Sequence, residues 1–186
     1  FELMAELKGK GKKIFADLKL FDIPATVAAA VRQLALHDVD FCTVHGNDGM
    51  LKAAADAKGG MQILAVTALT SLDQGDLDDL GFQCDARTLV LSRARRALAL
   101  GCDGVVSSGL EVSVLREHAD PRLITVCPGI RPIRNDDDQQ RVMTPFQAIR
   151  DGADYLVVGR PIRMASDPAS AAEAIQTEIA RALANP

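Results

Sequence analysis

Asp17, Lys19 and Asp22 put two carboxylates and one ammonium into Asp17-Leu18-Lys19-Leu20-Phe21-Asp22, directly after the apolar run Ile14-Phe15-Ala16. Residues two apart on an extended strand point to the same face, so Asp17 and Lys19 are expected to meet. Asp22 lies past the strand's end, where Ile23-Pro24 breaks the strand and opens a helix at Ala25. The carboxyl end of a strand is where α/β proteins place their chemistry. An ammonium kept charged by carboxylate neighbours can stabilise a developing anion and deliver a proton to it. The plain alternative is a surface salt bridge, which contributes ~0–1 kcal/mol.

A second set of residues suits an anion. Tyr155-Leu156-Val157-Val158 is an apolar strand that runs into Gly159-Arg160-Pro161-Ile162. Glycine lets a backbone N–H approach a ligand closely, and Pro161 fits the first turn of a short helix. Arg160 adds a bidentate cation. In barrels, phosphate commonly binds at the loops of the last strands. Pro128-Gly129-Ile130-Arg131-Pro132 ends the preceding strand and brings a second arginine to the same face. The loop that follows holds Asp136-Asp137-Asp138-Gln139-Gln140. Adjacent aspartates point in different directions and no histidine accompanies them, so the run reads as solvated rather than metal-binding. Either glutamine could reach a phosphate oxygen through its amide. The competing reading of Gly159-Arg160-Pro161 is an ordinary strand-to-helix turn with a solvated arginine.

These residues need a scaffold, and the apolar patterning supplies one. Strands are expected at 14–18, 41–45, 62–67, 104–106, 123–126 and 155–158. Helices are expected at 25–36, 50–57, 87–100, 110–118, 145–151 and 169–183, with 1–7 as the end of another. The stretch 71–80 reads as a polar loop with at most a short helical turn. Repeated strand–helix units with near-continuous apolar strands mean a parallel sheet covered by helices. An open doubly wound sheet and a (β/α)8 barrel both fit. No Gly-x-Gly-x-x-Gly follows the first strand, which weakens the dinucleotide-binding version. The chain has 186 residues, short of the ~200–250 of a barrel. The expectation is therefore one α/β barrel domain over 1–186, with an N-terminal β-α-β segment absent.

Composition narrows the partners. The net charge of −4 argues against nucleic acid. No apolar run approaches the ~20 residues of a membrane helix. Cys42, Cys84, Cys102 and Cys127 form no C-x-x-C pair and read as small buried hydrophobes in a reducing cytoplasm. His37 and His118 lie at helix ends and His45 at a strand end, all compatible with structural roles. Ser107-Ser108-Gly109 reads as a helix cap.

Asp17-Leu18-Lys19-Leu20-Phe21-Asp22-Ile23-Pro24-Ala25-Thr26-Val27 resembles the signature of the orotidine 5'-phosphate decarboxylase family. That family usually has His where this chain has Phe21, and Asn where it has Ala25. The related 3-keto sugar-phosphate synthases and decarboxylases share the Asp-x-Lys-x-x-Asp core. Pro-Gly-Ile-Arg-Pro, an acidic loop with Asp-Gln, Arg141-Val142-Met143-Thr144-Pro145 and Gly-Arg-Pro-Ile resemble the C-terminal half of the decarboxylases. Leu64-Ala65-Val66-Thr67-Ala68-Leu69-Thr70-Ser71 resembles their middle strand and loop.

The resemblance implies a (β/α)8 barrel and cofactor-independent decarboxylation of orotidine 5'-monophosphate to uridine 5'-monophosphate and CO2, in pyrimidine biosynthesis. It implies Lys19 as the catalytic lysine, Asp17 as its carboxylate neighbour, and Asp22 as the carboxylate given to a partner subunit in a homodimer with shared sites. It implies Ile23, Thr26 and Thr70 as substrate contacts, Thr26 at the ribose and Thr70 at the pyrimidine. Arg131, Gln139, Gly159 and Arg160 correspond to the phosphate grip, with Gln140 open beside Gln139. Two alternatives stand: a Mg2+-dependent enzyme on 3-keto sugar phosphates, and a catalytically inactive nucleotide-phosphate binding module.

Overall fold

The structure is a computed structural model that describes residues 1–45, 47–132 and 143–184. In chain order the elements are α1 (Glu2–Gly9), β1 (Phe15–Leu20), α2 (Pro24–Ala35), β2 (Phe41–His45), α3 (Asp48–Ala57), β3 (Gln62–Val66), α4 (Gln74–Asp79), α5 (Ala86–Ala99) and β4 (Gly104–Val106). A 3-10 turn at Gly109–Glu111 leads to α6 (Val112–His118), β5 (Ile124–Cys127), α7 (Pro145–Arg150), β6 (Tyr155–Leu156), α8 (Arg160–Arg163) and α9 (Pro168–Ala184). The chain divides into two compact units. The first is Phe1–Thr67 with Ser92–Val105, and the second is Ala68–Leu91 with Val106–Pro186.

In the first unit the strands lie in sequence order from β1 to β4. β1 pairs in parallel with β2, and β2 with β3. Both faces of β2 and β3 are covered: Phe41, Cys42, Val44, Ile63, Leu64 and Val66 are all buried. A parallel sheet buried on both sides needs such unbroken apolar strands. α2 begins at Pro24, which is preset for the first helical turn and lacks an N–H that would there go unpaired. The N–H groups of Thr26 and Val27 return to the Ile23 carbonyl. Val27, Val31 and Leu34 are buried on one face of that helix, each stabilising the fold by roughly 1.5–3 kcal/mol. Asp103 ties the far edge, accepting from Lys58 Nζ and from the Ile63 N–H, each at 2.8 Å.

In the second unit β5 and β6 are parallel neighbours, with Val126 opposite Tyr155 and Cys127 opposite Leu156. Their buried side meets α6 and α7 through Val112, Cys127, Ile130, Ala148 and Ala153, with Met143, Leu156 and Val158 packed against them. Arg116 of α6 staples the start of both strands. Its guanidinium donates to the carbonyls of Gly152 and Leu123, to Thr125 Oγ1 and to the Asp154 carboxylate. Gly152 has φ +102°, and a Cβ there would lie 3.1 Å from Arg116 Cγ, so glycine is required twice over. With their starts fixed, the opposite ends of β5 and β6 deliver Arg131 and Gly159.

Strand–helix alternation with parallel strands agrees with the sequence reading, and three boundaries differ. β1 runs two residues further than 14–18 and takes in Lys19. β6 is shorter than 155–158, although the Val157 N–H still reaches the Cys127 carbonyl at 2.9 Å. The segment expected to be a polar loop contains α4. A capping box makes it a helix: Asp73 Oδ1 takes the Asp76 N–H at 2.9 Å, and Asp76 Oδ2 takes the Asp73 N–H at 3.0 Å. Leu77 then anchors α4 by complete burial.

The four cysteines are free, and Cys42, Cys102 and Cys127 are buried. Burial pushes their thiols up, to about 11 for Cys42 and about 12 for the other two, so they act as hydrophobes. Among the described residues no helix is long and apolar enough to cross a membrane.

Candidate active site

β1 does not carry Asp17 and Lys19 as a regular strand would. Phe15 and Ala16 lie opposite Phe41 and Cys42, but Leu20 lies opposite Val44. Asp17, Leu18 and Lys19 therefore face the single residue Thr43, a bulge with two extra residues on β1. Lys19 occupies the left-handed region at φ +46°. For a residue with a Cβ that conformation costs roughly 1–2 kcal/mol.

Thr43 fills the space the bulge opens. It is completely buried. Its Oγ1 donates to Asp17 Oδ1 at 2.9 Å and accepts the Lys19 N–H at 2.8 Å. The second carboxylate oxygen, Asp17 Oδ2, takes Lys19 Nζ at 2.5 Å. The sequence expectation that Asp17 and Lys19 meet therefore holds, by a different geometry from strand alternation. Both side chains remain about 40% exposed, and an ion pair that open contributes only ~0–1 kcal/mol. The pair returns less than the backbone strain that presents it. Strain left uncompensated by local stability is typical of a functional site.

Asp22 stands apart. It is exposed, and its Oδ1 accepts the Ile23 N–H at 2.7 Å. Among the described residues Lys19 pairs with Asp17 and not with Asp22. Ile23 and Thr26, at the start of α2, are also exposed. His45 closes β2 beside Phe21, with ring centroids 5.7 Å apart. Its Nδ1 is buried without a hydrogen-bond partner among the described residues. Burial first, then the charges of Arg93 and Lys19, push its pKa down and keep the ring neutral. Arg93 itself donates to the Thr67 carbonyl.

The second unit holds the other expected residues. Thr70 is half-buried in a turn closed by the Leu72 N–H on the Leu69 carbonyl. Arg131 is only 6% exposed. Its N–H meets the Met143 carbonyl at 2.9 Å, and the Met143 N–H meets the Gly129 carbonyl at 3.3 Å. Gly129 makes the turn at φ +76°. Gly159 caps α8, where an added Cβ would meet nothing within 4 Å, so the protein's own packing does not demand glycine there. Arg160, half-buried, is the first residue of α8 and precedes Pro161. Arg131 and Gly159 leave the same end of adjacent parallel strands, each directly after a residue of one buried cluster, Ile130 or Val158. Gln139, Gln140 and the aspartate run 136–138 lie outside the described residues.

Residues 1–175 match the family model described as "Orotidine 5'-phosphate decarboxylase / HUMPS family". The chain belongs to that family. It is 64% identical over 181 residues to the orotidine 5'-phosphate decarboxylase of Methylococcus capsulatus, covering 96% of this chain and 75% of that protein. It is 50% identical over 185 residues to the enzyme of the same name from Nitrobacter winogradskyi, covering 98% of this chain and 77% of the relative. The crystal structure of orotidine 5'-phosphate decarboxylase from Lactobacillus acidophilus superposes with a TM-score of 0.82 at 38% identity, over 96% of this chain and 80% of that one. The fold is thus that of the family's (β/α)8 barrel. Membership takes in both branches of the sequence reading, decarboxylase and sugar-phosphate enzyme, while the named relatives lie on the first.

Sequence reasoning passed over Thr43. The signal was present: a hydroxyl in the apolar run Phe41-Cys42-Thr43-Val44 must find partners once that run is buried on both faces. Arg93 carried no comparable signal, being one of several arginines on α5.

Proposed function

We propose that this chain, acting as a single barrel domain, decarboxylates orotidine 5'-monophosphate to uridine 5'-monophosphate and CO2 without a cofactor. The observation that carries the reading is the Lys19–Asp17 pair, held at 2.5 Å on a strained bulge at a strand's carboxyl end. The high identity to named decarboxylases over nearly the whole chain supports it.

The chemistry follows from charge. Breaking the ring–carboxylate bond releases CO2 and leaves the electron pair on the ring carbon. The Lys19 ammonium faces that developing negative charge. At 4 Å and an effective dielectric near 20 such an attraction is worth about 4 kcal/mol, roughly a thousandfold in rate. A proton then passes from Nζ to the carbon, and the neutral amine regains one from water. Asp17 beside the substrate carboxylate disfavours that anion before the bond breaks, and the repulsion ends when CO2 leaves. Thr26 and Thr70 serve the ribose and the pyrimidine, and Ile23 an apolar contact.

Arg131, Gln139, Gly159 and Arg160 are proposed to grip the phosphate. Remote binding energy of this kind holds the ring against the Asp17 repulsion, so it appears in kcat as well as KM. Arg160→Ala is expected to lower kcat/KM for orotidine 5'-monophosphate by roughly 10²–10³-fold, the loss of a charge-assisted phosphate contact worth about 3–4 kcal/mol in a partly buried site. On orotidine, which lacks the phosphate, the same substitution is expected to change the rate by less than about threefold. Equal losses on both substrates would take Arg160 out of the phosphate grip.

The exposed Asp22 supports a shared-site homodimer. Its carboxylate is not engaged by Lys19 of its own chain, and exposed Phe21 and Ile23 flank it. An apolar rim around an outward carboxylate suits insertion into a second copy. The compartment expected for this reaction is the cytoplasm.

A further inference from the structure

We infer that Thr43 is a positioning residue for the Lys19 ammonium, an inference that rests on the function proposed above. One hydroxyl holds Lys19 twice, directly by its backbone and indirectly through Asp17.

Consider what the hydroxyl can do. It has one proton and lone pairs to accept with. The Lys19 N–H can only donate, and the ionised Asp17 carboxylate only accepts. The direction of both bonds is therefore forced: the Thr43 proton goes to Asp17 Oδ1 at 2.9 Å, and Oγ1 receives the Lys19 N–H at 2.8 Å. Asp17 Oδ2 closes the loop on Lys19 Nζ. The three residues form one ring of hydrogen bonds across the place where β1 carries two residues too many.

The bulge explains why a side chain is used. With Asp17, Leu18 and Lys19 facing one residue, the β2 backbone has too few groups to pair with them in register. A side-chain oxygen on the completely buried Thr43 reaches into that space. It stabilises the left-handed Lys19 and turns the Asp17 carboxylate, so that the ammonium has one location. Thr43 touches neither substrate nor reacting atoms in this scheme. It acts through Lys19 and Asp17.

Thr43→Val keeps the branched shape and removes the hydroxyl. Thr43→Ser keeps the hydroxyl and removes a methyl group from a buried site. The positioning role predicts that kcat falls about 100-fold in Thr43→Val, the usual scale for a displaced catalytic group, while KM moves less than about threefold. Thr43→Ser is expected to stay within about fivefold of wild type, despite the poorer packing that lowers its melting temperature. Activity and stability should thus rank the two variants in opposite orders. A purely structural threonine would rank them the same way. Exchange of the Lys19 amide, followed by NMR, provides a reading that needs no turnover: slow in wild type and Thr43→Ser, at least about tenfold faster in Thr43→Val. Should Thr43→Val fail to fold, Thr43→Ala takes its place with the same expectations.

Wild-type kcat in the valine or alanine variant would overturn the inference. So would a serine variant as slow as valine, or unchanged protection of the Lys19 amide. A wild-type protein that does not decarboxylate overturns the functional reading instead, and the amide measurement still decides whether Thr43 holds Lys19.

Discussion

Lys19→Ala is expected to lower kcat for orotidine 5'-monophosphate by at least about 10⁴-fold while leaving the melting temperature within a few degrees of wild type. Two losses combine in the rate. The charge facing the ring carbon disappears, on the scale of a lost oxyanion donor at about 10²–10³. The proton donor disappears as well, which for general acids contributes about 10²–10⁴. Both act on the same developing charge, so the factors do not simply multiply. Stability changes little because the ion pair with Asp17 is about 40% exposed on each side and contributes ~0–1 kcal/mol. Alanine retains the Cβ, and the backbone bond to Thr43 can form as before. Stopped-assay detection of product over hours, paired with thermal melting, checks both halves. Residual turnover above about 1% of wild type would remove Lys19 from the proton-donor role.

Mixing two inactive proteins is expected to restore activity. If Asp22 completes the site of the opposite subunit, Asp22→Ala and Lys19→Ala homodimers are each nearly inactive. In a mixed dimer one site collects both lesions and the other collects neither. Random exchange of equal amounts makes about half the dimers mixed, each with one intact site, so recovery approaches roughly a quarter of wild type. The physical motive is the position of Asp22: exposed, past the end of β1, with its carboxylate on the Ile23 N–H and the chain then turned into α2 by Pro24. Absence of recovery, with exchange demonstrated by mass-tagged subunits, would place Asp22 in its own subunit's site or outside it.

Much of this was legible in the residues themselves. Unbroken apolar strands separated by helices read directly as a covered parallel sheet, because burial on both faces leaves no alternation to misread. Pro24 marked the start of α2 to within a residue, and Ser108 caps the next helix as expected, its Oγ taking the Leu110 N–H at 3.3 Å. Arg131 and Arg160 could be placed at strand ends from Pro-Gly-Ile-Arg-Pro and Gly-Arg-Pro alone.

The bulge was not legible. Strand periodicity brings Asp17 and Lys19 to one face without any extra residues, so the correct meeting followed from an incorrect backbone. Register belongs to two strands at once, and nothing in 14–20 alone says that Thr43 will stand opposite three residues. α4 was missed for a different reason. Its helical signal lies in the Asp73–Asp76 capping pair rather than in apolar spacing, and Leu77 is the one buried side chain it offers.

The central claim is that fixed protein charges, with Lys19 foremost, carry out this decarboxylation unaided. Its most direct test is the conversion of orotidine 5'-monophosphate, followed by pyrimidine absorbance with the product identified as uridine 5'-monophosphate, in excess chelator and again with added Mg2+. The account predicts equal rates in the two conditions and one CO2 released per uridine 5'-monophosphate. A rate that collapses with chelator and returns with Mg2+, or tight binding of uridine 5'-monophosphate with no turnover in either condition, would contradict it.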